Sequence, residues 1–115
     1  MLPTAHRMRS ASDFSHTTRR GSKVSCGSVV AYVDTADDGG PARVGLIVSK
    51  SVGNSVSRHR AARRLRAGIR PLLADLPEGL RVVLRALPGA VCDPDLPSQV
   101  ADAVAEGVDR QAGRR

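Results

Sequence analysis

Six arginines stand between positions 58 and 70, Arg58, Arg60, Arg63, Arg64, Arg66 and Arg70, and no acid lies among them. A guanidinium forks onto phosphate oxygens in pairs and stacks on bases, so the chemistry this run offers is recognition of a polyanion. Each phosphate neutralised releases counterions, which is the main source of affinity for nucleic acid. Just upstream, Gly53-Asn54-Ser55 offers a helix start, where free N–H groups suit a phosphate, with Lys50 close by. His59 sits inside the run as a further hydrogen-bonding group.

Bond-making chemistry has little to work with. A metal-dependent nuclease needs two or more carboxylates converging on metal. The acids here fall in expected turns or toward the C-terminus, away from the arginines. His6, His16 and His59 have no ligand spacing, and Cys26 and Cys92 form no CxxC pair. The expectation is no catalytic residue and no metal ligand in this chain. The cysteines read as small apolar fillers in a reducing compartment. Phe14 and Tyr32 are the only aromatic residues, and each is either core or a platform for an unpaired base.

These residues need a scaffold. The 115 residues suit one domain, with about 1–8 and 111–115 expected as loose tails. Ser10 or Ser12 starts a short helix with Asp13 in its first turn, ending at Gly21. Val24 to Val33 is rich in β formers, Asp37-Asp38-Gly39-Gly40-Pro41 is a turn, and Arg43 to Ser49 alternates as a second strand. Two runs flanking one turn predict an antiparallel pair.

From Asn54 to Leu76 the period is helical. Ala62, Leu65, Ile69, Leu72, Leu73 and Leu76 define an apolar stripe, with Pro71 expected to kink or end the helix near Arg70. At about 100° per residue, Arg60, Arg63, Arg64 and Arg70 project opposite that stripe. Arg66 lies on its boundary and Arg58 toward the core side. Leu80 to Leu87 reads as a buried strand despite Arg81 and Arg85. A last helix follows Asp93-Pro94-Asp95, with Leu96, Val100, Ala103, Val104 and Val108 inward. The order α-β-β-α-β-α predicts a single-domain α+β sandwich on a small central sheet.

The net charge of +7 is unevenly placed. Residues 1–73 carry 13 basic and 4 acidic side chains, and residues 74–115 carry 5 and 7. That asymmetry points to a polyanionic partner. Self-repulsion and a core poor in rings predict a free protein partly unfolded at low salt, folded by sulfate or phosphate. No apolar run approaches the ~20 residues of a membrane span, and no signal-peptide apolar region is visible. The expectation is a cytoplasmic protein with no membrane partner.

The stretch Ser49-Lys50-Ser51-Val52-Gly53-Asn54-Ser55-Val56-Ser57-Arg58-His59-Arg60-Ala61-Ala62-Arg63-Arg64-Leu65-Arg66 resembles the signature of the bacterial ribonuclease P protein. The strand Arg43-Val44-Gly45-Leu46-Ile47-Val48, the Asp13-Phe14 pair and the position of Gly21 are also similar to the family, over roughly residues 7–90. The resemblance implies a fold related to a ribosomal-protein domain, with a left-handed βαβ crossover. It implies a protein without catalytic residues of its own, partnered with the ribonuclease P RNA and with precursor tRNA. That RNA, with bound Mg2+, cuts off the 5′ leader, and the protein holds no cofactor tightly.

By matching positions, Arg58, Arg60, Arg63 and Arg66 would face the catalytic RNA, with Lys50, Asn54, His59, Arg64 and Arg70 on the same RNA-binding surface. Phe14, Val30, Tyr32 and Ile47 would line the leader cleft. His59 stands where the family usually has Asn, Ala62 and Ser51 where Lys is common, and Thr18 where many members carry another aromatic. A ribosomal or general RNA-chaperone protein with no role in tRNA processing explains the charge equally well, but not the extended motif. DNA binding is not expected, because one arginine helix without a paired short helix does not make a helix-turn-helix.

Overall fold

The β run from Val24 to Val33 divides at Gly27. In the computed structural model, which describes residues 2, 4–8, 10–36 and 40–113, Gly27 takes φ +56 and reverses the chain with Ser28. The result is a hairpin of β1 (Ser22–Cys26) and β2 (Val29–Thr35) where sequence periodicity gives one strand. α1 (Ala11–Arg20) precedes it, and β3 (Arg43–Ile47), α2 (Ser55–Ile69), β4 (Leu80–Ala86) and α3 (Leu96–Gly113) follow. The described residues form a mixed α+β domain of one four-stranded sheet and three α-helices. Residues 37–39 of the expected turn, with Met1, Pro3, Arg9, Arg114 and Arg115 of the expected tails, lie outside the described residues.

The sheet order is β1-β2-β4-β3. The expected antiparallel pair of β2 and β3 is corrected by this order, because β4 lies between them. β4 runs antiparallel to β2 and parallel to β3. A parallel neighbour needs a long crossover, and α2 with its following turn supplies it. Val82, Val83 and Leu84 fill the central strand because it is covered on both faces.

Alternation sorts the side chains. Val33, Val82 and Val44 share one row and Ala31, Leu84 and Leu46 another, facing α2 and α3. Leu65 and Ile69 of α2 and Leu96, Val100 and Val104 of α3 close that core. Gly107 allows α3 onto the sheet, since a Cβ there would lie 2.3 Å from a Val33 methyl. Pro71 acts as expected. α2 ends at Ile69, and Arg70–Asp75 continues as a tighter 3-10 turn.

α1 crosses the opposite face over β2 and β4. Gly21 ends it, with extended φ of −69. Glycine is needed there for room, because a Cβ would meet the Thr17 carbonyl oxygen at 2.5 Å and that of Val33 at 2.8 Å. The chain before α1 is not a loose leader where it is described. Met8 N–H donates to the Val44 carbonyl, Arg7 bridges to Val44, and Leu2 and Met8 are buried. Gln111 is likewise held, its amide donating to Ser22 Oγ.

Candidate nucleic-acid interface

The arginine helix begins at a capped turn. Lys50–Val52 forms one 3-10 turn, Gly53 takes φ +140, and Asn54 Oδ1 accepts the Ser57 N–H at 2.9 Å. That cap satisfies one of the four donors a helix start leaves open and fixes where the arginines point. Ala61, Leu65, Gly68 and Ile69 are the buried residues of α2. The inward stripe therefore runs through Ala61 and Gly68, with Ala62 at its margin. Gly68 lets α3 approach, the nearest Val100 methyl being 3.3 Å from a Cβ placed there.

Arg60 and Arg63 are exposed, as are Lys50, His59 and Arg70. Arg58 is half-buried, with its Nε shielded and unbonded among the described residues. It borders a hollow of about 260 Å³ with Val48, Ser55, His59, Ala62 and Arg66. None of Arg58, Arg60, Arg63, Arg64 and Arg66 forms a salt bridge with a described carboxylate. The cationic surface is therefore open rather than neutralised from within.

Arg64 departs from its expected outward direction. Its guanidinium donates to the carbonyl oxygens of Ala90, at 2.7 Å, and Asp93. Those carbonyls belong to the Pro88–Val91 turn and the residues just beyond it, which lie beside α2. Simple rotation about a helix axis shows where a side chain starts, and a flexible Arg then bends to the nearest unpaired carbonyls. Asp93 is itself tied down: its carboxylate accepts from Ser28 Oγ at 2.7 Å, Asp95 N–H at 2.9 Å and Gln99 Nε2 at 3.0 Å. The Ser28 and Asp95 bonds, then Gln99 and the Arg64 charge, hold its pKa below 3.8, against some burial.

Phe14, Val30, Tyr32 and Ile47 come together on the α1 side of the sheet. Val30, Tyr32, Val83 and Met8 form a small buried cluster, and Phe14, Ile47 and Leu87 pack against it. A groove of about 330 Å³ runs along this edge, lined by Leu2, Arg7, Met8, Phe14, Val44, Gly45, Leu46 and Arg66. Arg66 lines both this groove and the hollow beside Arg58, and of Phe14, Val30, Tyr32 and Ile47 only Phe14 lines the groove.

Two residues of these surfaces escape sequence reading. Val56 is 73% exposed at the start of α2, an apolar side chain among cations. Arg85 stands exposed between Val30 and Ile47 in the sheet register. The signal for Arg85 was its two-residue spacing from Val83, once the face of β4 is known. Among the described residues no cluster of three His, Cys, Asp or Glu is gathered as a metal would need, and no helix is long and apolar enough to cross a membrane.

The sequence model of the ribonuclease P family matches residues 2–107. The chain is 46% identical over 91 residues to the ribonuclease P protein component of a Mycobacterium species, strain KMS, covering 78% of this chain and 77% of that protein. It is 44% identical over 114 residues to that of Kocuria rhizophila, covering 97% and 100%. In three dimensions it resembles the RNase P protein of Staphylococcus aureus with a TM-score of 0.72, at 21% identity over 92% of this chain and 94% of that one. The RNase P protein of Thermotoga maritima gives 0.60 at 18% identity, over 95% and 96%. At such identities these two structures establish the fold.

Proposed function

The chain belongs to the ribonuclease P protein family, and from that membership we propose how its two surfaces divide the work. As a protein component of ribonuclease P, it serves an endoribonuclease of tRNA processing, together with the RNA subunit. The open arginine face, with Arg58, Arg60, Arg63 and Arg66 and the neighbouring Lys50, His59 and Arg70, docks on that RNA. Asn54 supports it by fixing the first turn. The cleft of Phe14, Val30, Tyr32 and Ile47 receives the 5′ leader of precursor tRNA. Hydrolysis is left to the RNA and to Mg2+ that the RNA holds. The protein offsets phosphate repulsion so that the substrate's charge approaches more easily. It does this in the cytoplasm.

One observation carries this reading: arginines of α2 that form no ion pair among the described residues border, at Arg66, a groove that Phe14 also lines. A surface kept only for solubility would mix signs. The test is to mix the protein with the catalytic RNA and time leader removal at low magnesium. The protein should speed cleavage, and its affinity for the RNA should fall with salt at a slope of about −0.7 to −0.9 per phosphate contact. Equal rates with and without the protein, or cleavage by the protein and magnesium without RNA, would overturn it.

A further inference from the structure

Arg85 lies near the end of the central strand β4, on the face that α1 crosses, with no partner among the described residues. It points to the same side of β4 as Val83, with Val30 beside it on β2 and Ile47 on β3. It is exposed and makes no hydrogen bond or ion pair with a described residue. The carboxylate on this face, Asp34, sits opposite Arg81, four residues back along β4, and lies 3.7 Å from His16. A central strand position between two branched aliphatics favours a third, and an unpaired cation there gives up that packing.

The surroundings say what the cation faces. Single-stranded RNA is held by bases stacked on rings and by charges along its backbone. Ring surface is scarce here. Tyr32 is only 9% exposed, so its neighbours already cover the ring. Thr18, one turn beyond Phe14 on α1, carries no ring and donates its hydroxyl to the Phe14 carbonyl at 2.9 Å. What the accessible floor does offer is the aliphatic side of Ile47, part of Phe14 and a free guanidinium.

We propose that Arg85 binds a backbone phosphate of the leader and makes this cleft read charge more than base identity. It is a specificity-determining residue of the substrate groove and rests on the leader-cleft reading above. The leader is then gripped with little sequence preference and strong salt dependence, and a substrate too short to reach Arg85 gains nothing from it.

The test uses the holoenzyme with two substrates, precursor tRNA with a long single-stranded leader and tRNA without one. Arg85→Met keeps the aliphatic stem and removes the charge, Arg85→Gln is a second neutral variant, and Arg85→Lys keeps the charge. The neutral variants should weaken binding of the long-leader substrate about fivefold to tenfold. They should flatten its salt slope by about 0.7. Leaderless tRNA should bind unchanged, and Arg85→Lys should stay within about twofold of the parent. Equal losses on both substrates, or an unchanged slope, would overturn the anchor. Phe14→Leu separates the two readings. If it lowers leader-dependent binding and Arg85→Met does not, the cleft stands and the anchor falls. If neither variant tells the substrates apart, the cleft reading falls and the anchor with it.

Discussion

The ring of Phe14 occupies the space that a side chain on Gly45 would need. A Cβ at Gly45 would lie 2.4 Å from both Cε1 and Cζ of that ring. The glycine thus lets α1 lay an aromatic directly on β3, at the floor of the cleft. Gly45→Ala forces the ring away and should cost about 1–3 kcal/mol of stability. Urea midpoints read the cost, and the long-leader substrate should lose more affinity than the catalytic RNA does. An alanine variant as stable as the parent would mean that the ring moves aside freely.

Arg64 and its neighbours Arg60 and Arg63 should separate cleanly. Arg64→Met leaves the carbonyls of Ala90 and Asp93 without their donor, so it should lose about 1–3 kcal/mol of stability. The salt slope of RNA binding should hardly change. Arg60→Met and Arg63→Met should do the reverse, leaving stability intact and flattening the slope by about 0.7 to 0.9 each. Thermal melts and RNA titrations at several salt concentrations measure both. A flattened slope for Arg64→Met would place it on the RNA surface after all.

Much of this architecture is legible in the sequence, and the exceptions share a cause. The helical period of α2, the kink at Pro71 and the inward faces of Leu65 and Val100 follow from spacing alone, because local geometry sets them. The partner of β3 does not follow. Arg43–Ile47 and Val29–Thr35 look like the arms of one hairpin, yet Leu80–Ala86 inserts between them. That choice is made by long-range burial, which favours the most apolar strand at the centre. The split at Gly27 does not follow either, because one glycine inside a β run reads equally as a bulge or a turn.

The cleft residues were legible only through family resemblance, since Phe14 and Ile47 lie far apart in the chain. Register with Val30 and Ile47 then brings Arg85 among them. Arg64 shows the opposite limit. Its position on the helix wheel was plain, but the carbonyls that capture it come from a turn whose placement no periodicity encodes.

Asp93 should make the fold sensitive to acid. Its folded pKa lies below the ordinary 3.8, chiefly through the Ser28 and Asp95 hydrogen bonds. A depressed carboxylate adds stability that is complete above its unfolded value and is lost as pH falls through the folded one. Wild type should therefore be more stable than Asp93→Asn at neutral pH, with the gap narrowing as pH drops below 3.8. Denaturant midpoints across that range decide it. A gap that stays constant with pH would assign the difference to neutral hydrogen bonding at Ser28 and Gln99.

Anions should stabilise the free protein through α2. Arg58 and Arg66 border one hollow, and the shielded Arg58 Nε has no partner among the described residues. An anion bound there attaches only to the folded state, because unfolding scatters the two guanidinium groups. At a hundred times its dissociation constant such a ligand adds about 2.7 kcal/mol. Sulfate also stabilises most proteins by exclusion from their surface, so a rise in melting temperature alone decides nothing. The difference between variants does. Arg58→Met and Arg66→Met should each remove a large part of the sulfate response, while Arg64→Met, whose guanidinium is already engaged, should keep it at a lower starting stability. If circular dichroism finds the native signal complete without anions, and all three variants respond to sulfate alike, binding at this hollow does not contribute to folding.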